Sequence, residues 1–320
     1  DARRRSAGSR EVSRSVIRVE GLRFSYGKGP VLDGVDLAVG EGEMFGLVGA
    51  DGAGKSTLLR LMIGQLAPAA GRVSVLGMDA ADPRLRDRIA YMPQGFGQYL
   101  DLSVRENLEF FADLHGLERG TARSLIADLL ARTGLAGFES RRAGQLSGGM
   151  MQKLALACAL VSRPRAMFLD EPTTGVDPVS RRAFWQLLDG VRAEGVAIVY
   201  ATANMEEAER CDRVGLLEEG RFAREGAPLE LMAVAAARLL GVSGAGVRGY
   251  RNRLRELPGV KMVFPVGRLV KIWVGEEQDE AVLRDSIAAL APHLRVEVLR
   301  PTLQDVALRD LALAGARGHG

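Results

Sequence analysis

The 320 residues, 47% hydrophobic and 26% charged, have the balance of an ordinary globular protein and exclude both a disordered and a collagen-like chain. The net charge is only +3, and much of the excess sits in Arg3, Arg4, Arg5, Arg10 and Arg14, a run without amphipathic pattern that reads as a solvated tail rather than a membrane-attracted one. No stretch reaches the ~18–20 apolar residues that cross a bilayer, because the longest candidate, Leu229 to Leu240, is broken by Glu230 and Arg238.

Residues 1–15 read as tail. Ile17 to Glu20 alternates like a strand, and Glu43 to Val48 is a buried strand running into glycines. Ser56 to Leu66 has helical spacing, with Leu58, Leu59, Leu61 and Met62 apolar. Arg72 to Val75 and Ile89 to Met92 are short strands. From about 95 to 160 the pattern is helical, at Val104 to Leu114, Thr121 to Ala131 and Gly148 to Leu160. Strands return at Ala166 to Leu169 and Val196 to Tyr200, with a helix from Ser180 to Glu194 between them. Apolar strands alternating with helices predict a parallel sheet covered by helices, with the helical block as an insertion.

The composition changes at 227–246, which reads as a linker of helix and hinge that includes a strand at Leu239 to Ser243. A small domain over 247–312 follows, and 313–320 reads as a second tail. Within it, Tyr250 to Leu257 is a helix stopped by Pro258-Gly259. Val260 to Phe264 and Leu269 to Val274 flank a turn at Val266-Gly267, Asp279 to Leu290 is a helix, and Leu294 to Leu299 is a strand. That βαββαβ order predicts a small ferredoxin-like α+β domain.

Gly49-Ala50-Asp51-Gly52-Ala53-Gly54-Lys55-Ser56 matches the phosphate-loop pattern G-x-x-x-x-G-K-[ST], with the required strand before it and helix after it. Glycines let the backbone wrap a phosphate, and the N–H groups and the helix start attract an anion. Gly49 to Thr57 are therefore expected to bind ATP. Lys55 would reach the β- and γ-phosphates, and Ser56 would ligate Mg²⁺. The apolar strand Ala166 to Leu169 ends in Asp170-Glu171. Asp170 is expected to hold Mg²⁺, and Glu171 to polarise the attacking water.

Leu146-Ser147-Gly148-Gly149-Met150 lies between these two motifs and resembles the LSGGQ signature of the ABC ATPases. The resemblance spans residues 16–226 and implies an α/β phosphate-loop NTPase with a helical subdomain. It also implies that Ser147, Gly148 and Gly149 face ATP bound to a second nucleotide-binding domain. By the same resemblance, Tyr26 stacks on adenine and Gln94 touches Mg²⁺. Thr174 to Pro178 resembles the D-loop, and Met205 to Val214 the segment after the switch histidine. Arg300 to Val306 is similar to the P-[ST]-L-E-D-V-F ending of drug-exporter ATPases, with Ala307 in place of Phe.

The family pattern T-H-x-M-E-E-A-E is departed from at one decisive position. Thr202-Ala203-Asn204-Met205 puts Ala203 where the switch histidine stands, and the three histidines, His115, His293 and His319, lie elsewhere. A methyl group cannot hydrogen-bond a γ-phosphate, so slow hydrolysis is expected. Ala50-Asp51 replaces the usual Pro-Asn, and Met151 stands where a basic residue often follows the signature. These departures resemble the first half of tandem-ATPase exporters. The expected protein is an ATPase subunit bound to the inner face of a membrane. Its partners are an ABC-2 type permease and a second nucleotide-binding domain, with no nucleic acid. Phe96, Tyr99 and Leu102, just after Gln94, are expected near the permease contact. Cys158 and Cys211, lacking metal or disulfide spacing, and the lack of an apolar N-terminal leader fit the cytoplasm. Two alternatives stand beside this reading. One is a nucleotide-sensing module without useful hydrolysis, which Ala203 favours. The other is a soluble ABC ATPase acting on ribosomes or DNA, which usually has two cassettes in one chain or a long coiled-coil insertion.

Overall fold

A computed structural model describes residues 15–317 apart from Lys28, Phe96, 234–236 and Glu276. The arginines of the basic tail, Phe96 and His319 therefore lie outside the described residues. The chain divides into two units, Asp1–Glu225 and Gly226–Gly320.

The first unit opens with β1 (Ser15–Ser25), β2 (Pro30–Gly40) and β3 (Met44–Val48), followed by α1 (Lys55–Met62), β4 (Ala70–Val75), β5 (Met78–Asp79) and β6 (Ile89–Met92). Next come α2 (Val104–Leu114), α3 (Arg119–Thr133) and α4 (Gly148–Leu160). The unit closes with β7 (Ala166–Asp170), α5 (Pro178–Ala193), β8 (Ala197–Thr202), α6 (Met205–Ala208), β9 (Arg213–Glu218) and β10 (Arg221–Gly226).

Two sheets result, ordered β2-β1-β4-β5 and β10-β9-β3-β8-β7-β6. In the second, β3, β6, β7, β8 and β9 pair in parallel. Every residue of β3, β7 and β8 is buried, which explains their unbroken apolar runs: both faces of a parallel sheet are covered. The parallel sheet is present as expected, but it does not take in every predicted strand. Ile17 to Glu20 and Arg72 to Val75 belong instead to the separate antiparallel sheet, where β1 pairs with both β2 and β4. The helix expected to reach Leu66 ends at Met62. Gly64 then turns at φ +71°, and a Cβ there would stand 2.1 Å from the Ala80 carbonyl oxygen.

Parallel register sets the site. Val48 lies beside Thr202, and Asp170 beside Ala201. The carboxyl ends of three central strands thus deliver Gly49, Glu171 and Ala203 to one edge of the sheet. The helical block has its own core, including Leu108, Ile126, Leu129, Met151 and Leu154. Burial there accounts for Met151, because a basic side chain would lose its solvent. Ser103 and Glu106 form a reciprocal capping box at the start of α2, which satisfies two otherwise orphan N–H groups. Cys158 and Cys211 are free and buried, and burial pushes the Cys211 thiol up to about 12.

The second unit contains α7 (Pro228–Ala233), β11 (Ala237–Ser243), α8 (Arg251–Arg255), β12 (Val260–Val266), β13 (Leu269–Gly275), α9 (Glu280–Leu290), β14 (Arg295–Leu299) and α10 (Leu303–Arg317). Part of the stretch expected as linker is therefore a strand, and a central one. The order β12-β13-β11-β14, antiparallel throughout, is that of a ferredoxin-like sheet. One face carries a core of Leu240, Val242, Leu254, Ile272 and Ile287. On the other, Arg309 of α10 lies 5.1 Å from the ring centroid of Trp273. Among the described residues, no helix is long and apolar enough to cross a membrane.

Candidate functional site

The phosphate-binding loop leaves β3 at Gly49, whose N–H donates to the Thr202 carbonyl (3.4 Å). A Cβ on Gly49 would stand 2.6 Å from the Leu217 carbonyl oxygen, so the packing of this turn requires glycine. Gly52 and Gly54 turn at φ +83° and +107°, open to glycine without strain. α1 begins directly after Gly54, with no side chain capping its first N–H groups. Lys55 is 5% exposed, and its ammonium donates to the carbonyls of Gly49 (2.8 Å) and Ala50 (3.1 Å). The loop therefore presents free N–H groups, a helix start and a buried cation together, which is the chemistry of an anion site.

Glu171 closes the other side. It stands 3.4 Å from the Lys55 ammonium, and its second oxygen accepts from Gln94 (3.3 Å) and Thr174 (3.3 Å). Its backbone takes φ +48°, unusual for a non-glycine residue, and its N–H donates to Ala201 (2.9 Å). Asp170 is buried. The Tyr91 hydroxyl donates to one of its oxygens (3.4 Å), and the other oxygen has no partner. Burial raises the Asp170 pKa above the ordinary carboxylate value, the nearby Ser56 hydroxyl opposes that rise, and the charge of Glu171 raises it further.

Lys55, Gln94 and Glu171 line one cleft of about 550 Å³, whose wall also includes Tyr26, Asp51, Gly52, Gly54, Ser56 and Thr57, while Asp170 lies outside that wall. Tyr26 is 57% exposed, packs edge-on against Phe24 (4.8 Å) and lies 3.4 Å from the Thr57 hydroxyl, leaving an aromatic face free. Thr174, the first residue of the D-loop resemblance, also lines the cleft, as does Val31, which was not singled out by sequence. Ala203 is exposed just past the end of β8 and is not part of the wall.

The Ser147–Gly149 segment is separate from this cleft. Ser147 and Gly148 are exposed, and the Ser147 hydroxyl caps its own helix by accepting from the Met150 N–H (3.3 Å). Gly149 is pressed against α5: a Cβ there would come within 2.2 Å of the Ser180 hydroxyl oxygen. The chain thus offers a second helix start to its surroundings, away from its own phosphate-binding loop.

Sequence reasoning missed a buried polar cluster beneath the switch segment. The Glu207 carboxylate accepts from Thr173 (2.6 Å), Tyr200 (2.9 Å) and Thr202 (3.0 Å), with Arg181 at 3.6 Å. In the run Met205-Glu206-Glu207-Ala208-Glu209 nothing marks the one buried acid. The available signal was the pair of polar residues, Tyr200 and Thr202, within an otherwise apolar strand.

The profile of the ABC transporter family matches residues 32–174. The chain is 38% identical over 307 residues to the probable multidrug ABC transporter ATP-binding protein YbhF of Escherichia coli, covering 94% of this chain and 53% of that protein. It thus spans about half the length of that relative. It is 35% identical to the Nod factor export ATP-binding protein I of Rhizobium sp. strain N33, covering 93% of this chain and 97% of that protein. The solved structure of a post-hydrolysis dimer of the ATP-binding cassette MJ0796, bound to ADP and Pi, superposes with a TM-score of 0.60 at 26% identity, covering 66% of this chain and 98% of that one.

Proposed function

The chain belongs to the ABC transporter family and carries its ATPase cassette, and from that premise we propose that it is the slow half of an asymmetric pair driving an exporter. ATP binds at Gly49 to Thr57, with Lys55 on the β- and γ-phosphates and Tyr26 against adenine. The donor set suits Mg²⁺ shared with phosphates. Asp170 has a buried oxygen without a partner, the Ser56 hydroxyl is beside it, and Gln94 reaches Glu171 at the same cleft. Mg²⁺ held there would neutralise phosphate charge. Glu171 orients the attacking water, held by Gln94 and Thr174.

The observation that carries the reading is Ala203. It stands exposed just past the carboxyl end of β8, outside the cleft wall, while the Lys55–Glu171–Gln94 group in the cleft is otherwise complete. A methyl group offers no donor to the γ-phosphate, and one lost donor to a transition state costs roughly 10²–10³ in rate. The exposed Ser147–Gly149 helix start is unaffected and serves ATP on a second, non-identical cassette. Tyr99 and Leu100 are about half exposed beyond Gln94, and Tyr99 packs edge-on against Phe110 (4.7 Å). Buried Asn107 fixes that loop by bonding both the N–H and the carbonyl of Tyr99. This apolar surface meets an ABC-2 type permease, and the subunit sits on the inner face of the membrane in the cytoplasm. The permease type rests on the resemblance alone, and the export direction on the resemblance and on the name of the Nod factor export relative.

The test is steady-state ATPase activity of the chain, of Ala203→His, and of Ala203→His with Glu171→Gln. We expect a nearly silent chain, a gain of roughly 10²-fold on restoring the imidazole, and loss of that gain with the second change. Brisk turnover of the unaltered chain overturns the slow-half reading. Binding of ATP with no hydrolysis by any variant favours a nucleotide-sensing module instead, which Ala203 also supports.

A further inference from the structure

We propose that Glu207 is the positioning residue of this site, a buried carboxylate that fixes the Glu171 loop, the switch segment and the partner-facing turn as one body. Its partners come from three places. Thr202 ends the strand that delivers the switch position, and its hydroxyl also accepts from the Asn204 N–H (2.9 Å), so the bend at Ala203 is held on both sides. Thr173 lies two residues past Glu171, in the turn where Thr174 N–H donates to the Glu171 carbonyl (3.2 Å) and Val176 N–H to the Thr173 carbonyl (3.1 Å). Arg181, on α5, faces Glu207 at 3.6 Å and donates to the Val176 carbonyl (3.2 Å).

From Arg181 the connection runs on to the signature. Ser180 is the residue against which Gly149 is pressed, and Asp177 caps α5 by accepting from the N–H groups of Val179 and Ser180 (3.0 Å each). A shift of α5 must therefore displace the helix start that Ser147 and Gly148 expose. One carboxylate thus links the groups that act on the chain's own ATP to the surface it offers a second cassette.

The chemistry suits a rigid junction. Three hydroxyl donors satisfy a carboxylate that is 6% exposed, so neither of its oxygens is left bare. Burial and the charge of Glu207 raise the Tyr200 pKa above its ordinary value, so the phenol keeps its proton to donate. The network depends on no group contributed by the missing histidine. A scaffold that stays set beneath Ala203 is what lets an imidazole restored there face the cleft without refolding, and in this respect the inference rests on the slow-half reading.

The experiment compares the full chain with Glu207→Gln and Thr173→Val by amide hydrogen exchange, ATP affinity and, in the Ala203→His background, turnover. Glu207→Gln is expected to speed exchange at Glu171, Thr174 and Val176 by about tenfold, the effect of one lost buried hydrogen bond. ATP affinity should stay within threefold, while turnover of the Ala203→His chain falls about 10- to 100-fold without a change in KM. Thr173→Val, a smaller change, should show the same pattern at lower amplitude. Faster exchange confined to 204–210 overturns the proposal, as does a turnover loss that merely tracks lost ATP affinity. If Glu207→Gln fails to fold, Thr173→Val with unchanged exchange at Thr174 and Val176 overturns it. Exchange reports on the junction even when Ala203→His gains no activity, so failure of the slow-half reading is told apart from failure of this one.

Discussion

Each unit sets one lysine against one carboxylate, and the two pairs do opposite things. In the first unit the Lys55 ammonium is 3.4 Å from Glu171 and donates its shorter bonds to two carbonyls of the phosphate-binding loop, facing an open cleft. In the second, Lys271 meets both oxygens of Asp305 at 2.7 and 2.9 Å. Asp305 also accepts from the Thr302 N–H (3.1 Å) and hydroxyl (2.9 Å), while its own N–H donates back to that hydroxyl (3.2 Å). That reciprocal cap closes the carboxylate off, at 1% exposure. A buried cation whose carboxylate is loosely held can exchange it for an anion that arrives. A cation whose carboxylate is saturated cannot, and serves as a lock.

The contrast can be pushed until it breaks. Lys271→Met has the largest expected effect, because it leaves Asp305 buried without its cation. The second unit should lose about 3–5 kcal/mol, read by denaturant unfolding, with ATP affinity unchanged. Lys55→Met should do the converse. ATP affinity falls roughly 100-fold, in line with about 1.5–3 kcal/mol for a hydrogen bond to a charged group, while unfolding barely moves. If Lys55→Met instead unfolds the first unit at an intact affinity, the two lysines are alike and the distinction fails. Thr302→Val is the mildest. It removes the cap but keeps the ion pair, and should cost about 1 kcal/mol of second-unit stability.

Of the two lysines only Lys55 was legible in the sequence, since a loop that wraps phosphate with backbone N–H groups leaves few choices at its glycines and none at its cation. Lys271 sits in Leu269-Val270-Lys271-Ile272-Trp273 and reads as a solvent-facing position of an alternating strand. What partly covers it is α10, whose Asp305 meets it, a contact no local pattern announces. The ending Pro301-Thr302-Leu303-Gln304-Asp305-Val306 was legible as a motif, but its physical content, a cap that presents Asp305 to Lys271, needed the fold. Ala307, where Phe was expected, is buried as well. The β2 strand was obscured because Gly34 breaks its alternation at φ +78°. Glu207 was hidden among like residues. Local chemistry was readable, and charge pairs made across the fold were not.

The ferredoxin-like sheet also sets a timetable for synthesis. Its first strand, β11, lies inside the sheet between β13 and β14, and Asp305 follows Lys271 by 34 residues. At roughly 5–20 residues per second, a nascent chain carries Lys271 for a few seconds before its counter-charge has been made. Over that interval the ammonium keeps its water and the half-made sheet stays open on the Trp273 face. The second unit can shut only as α10 emerges, which makes that helix the step that commits it to its native form.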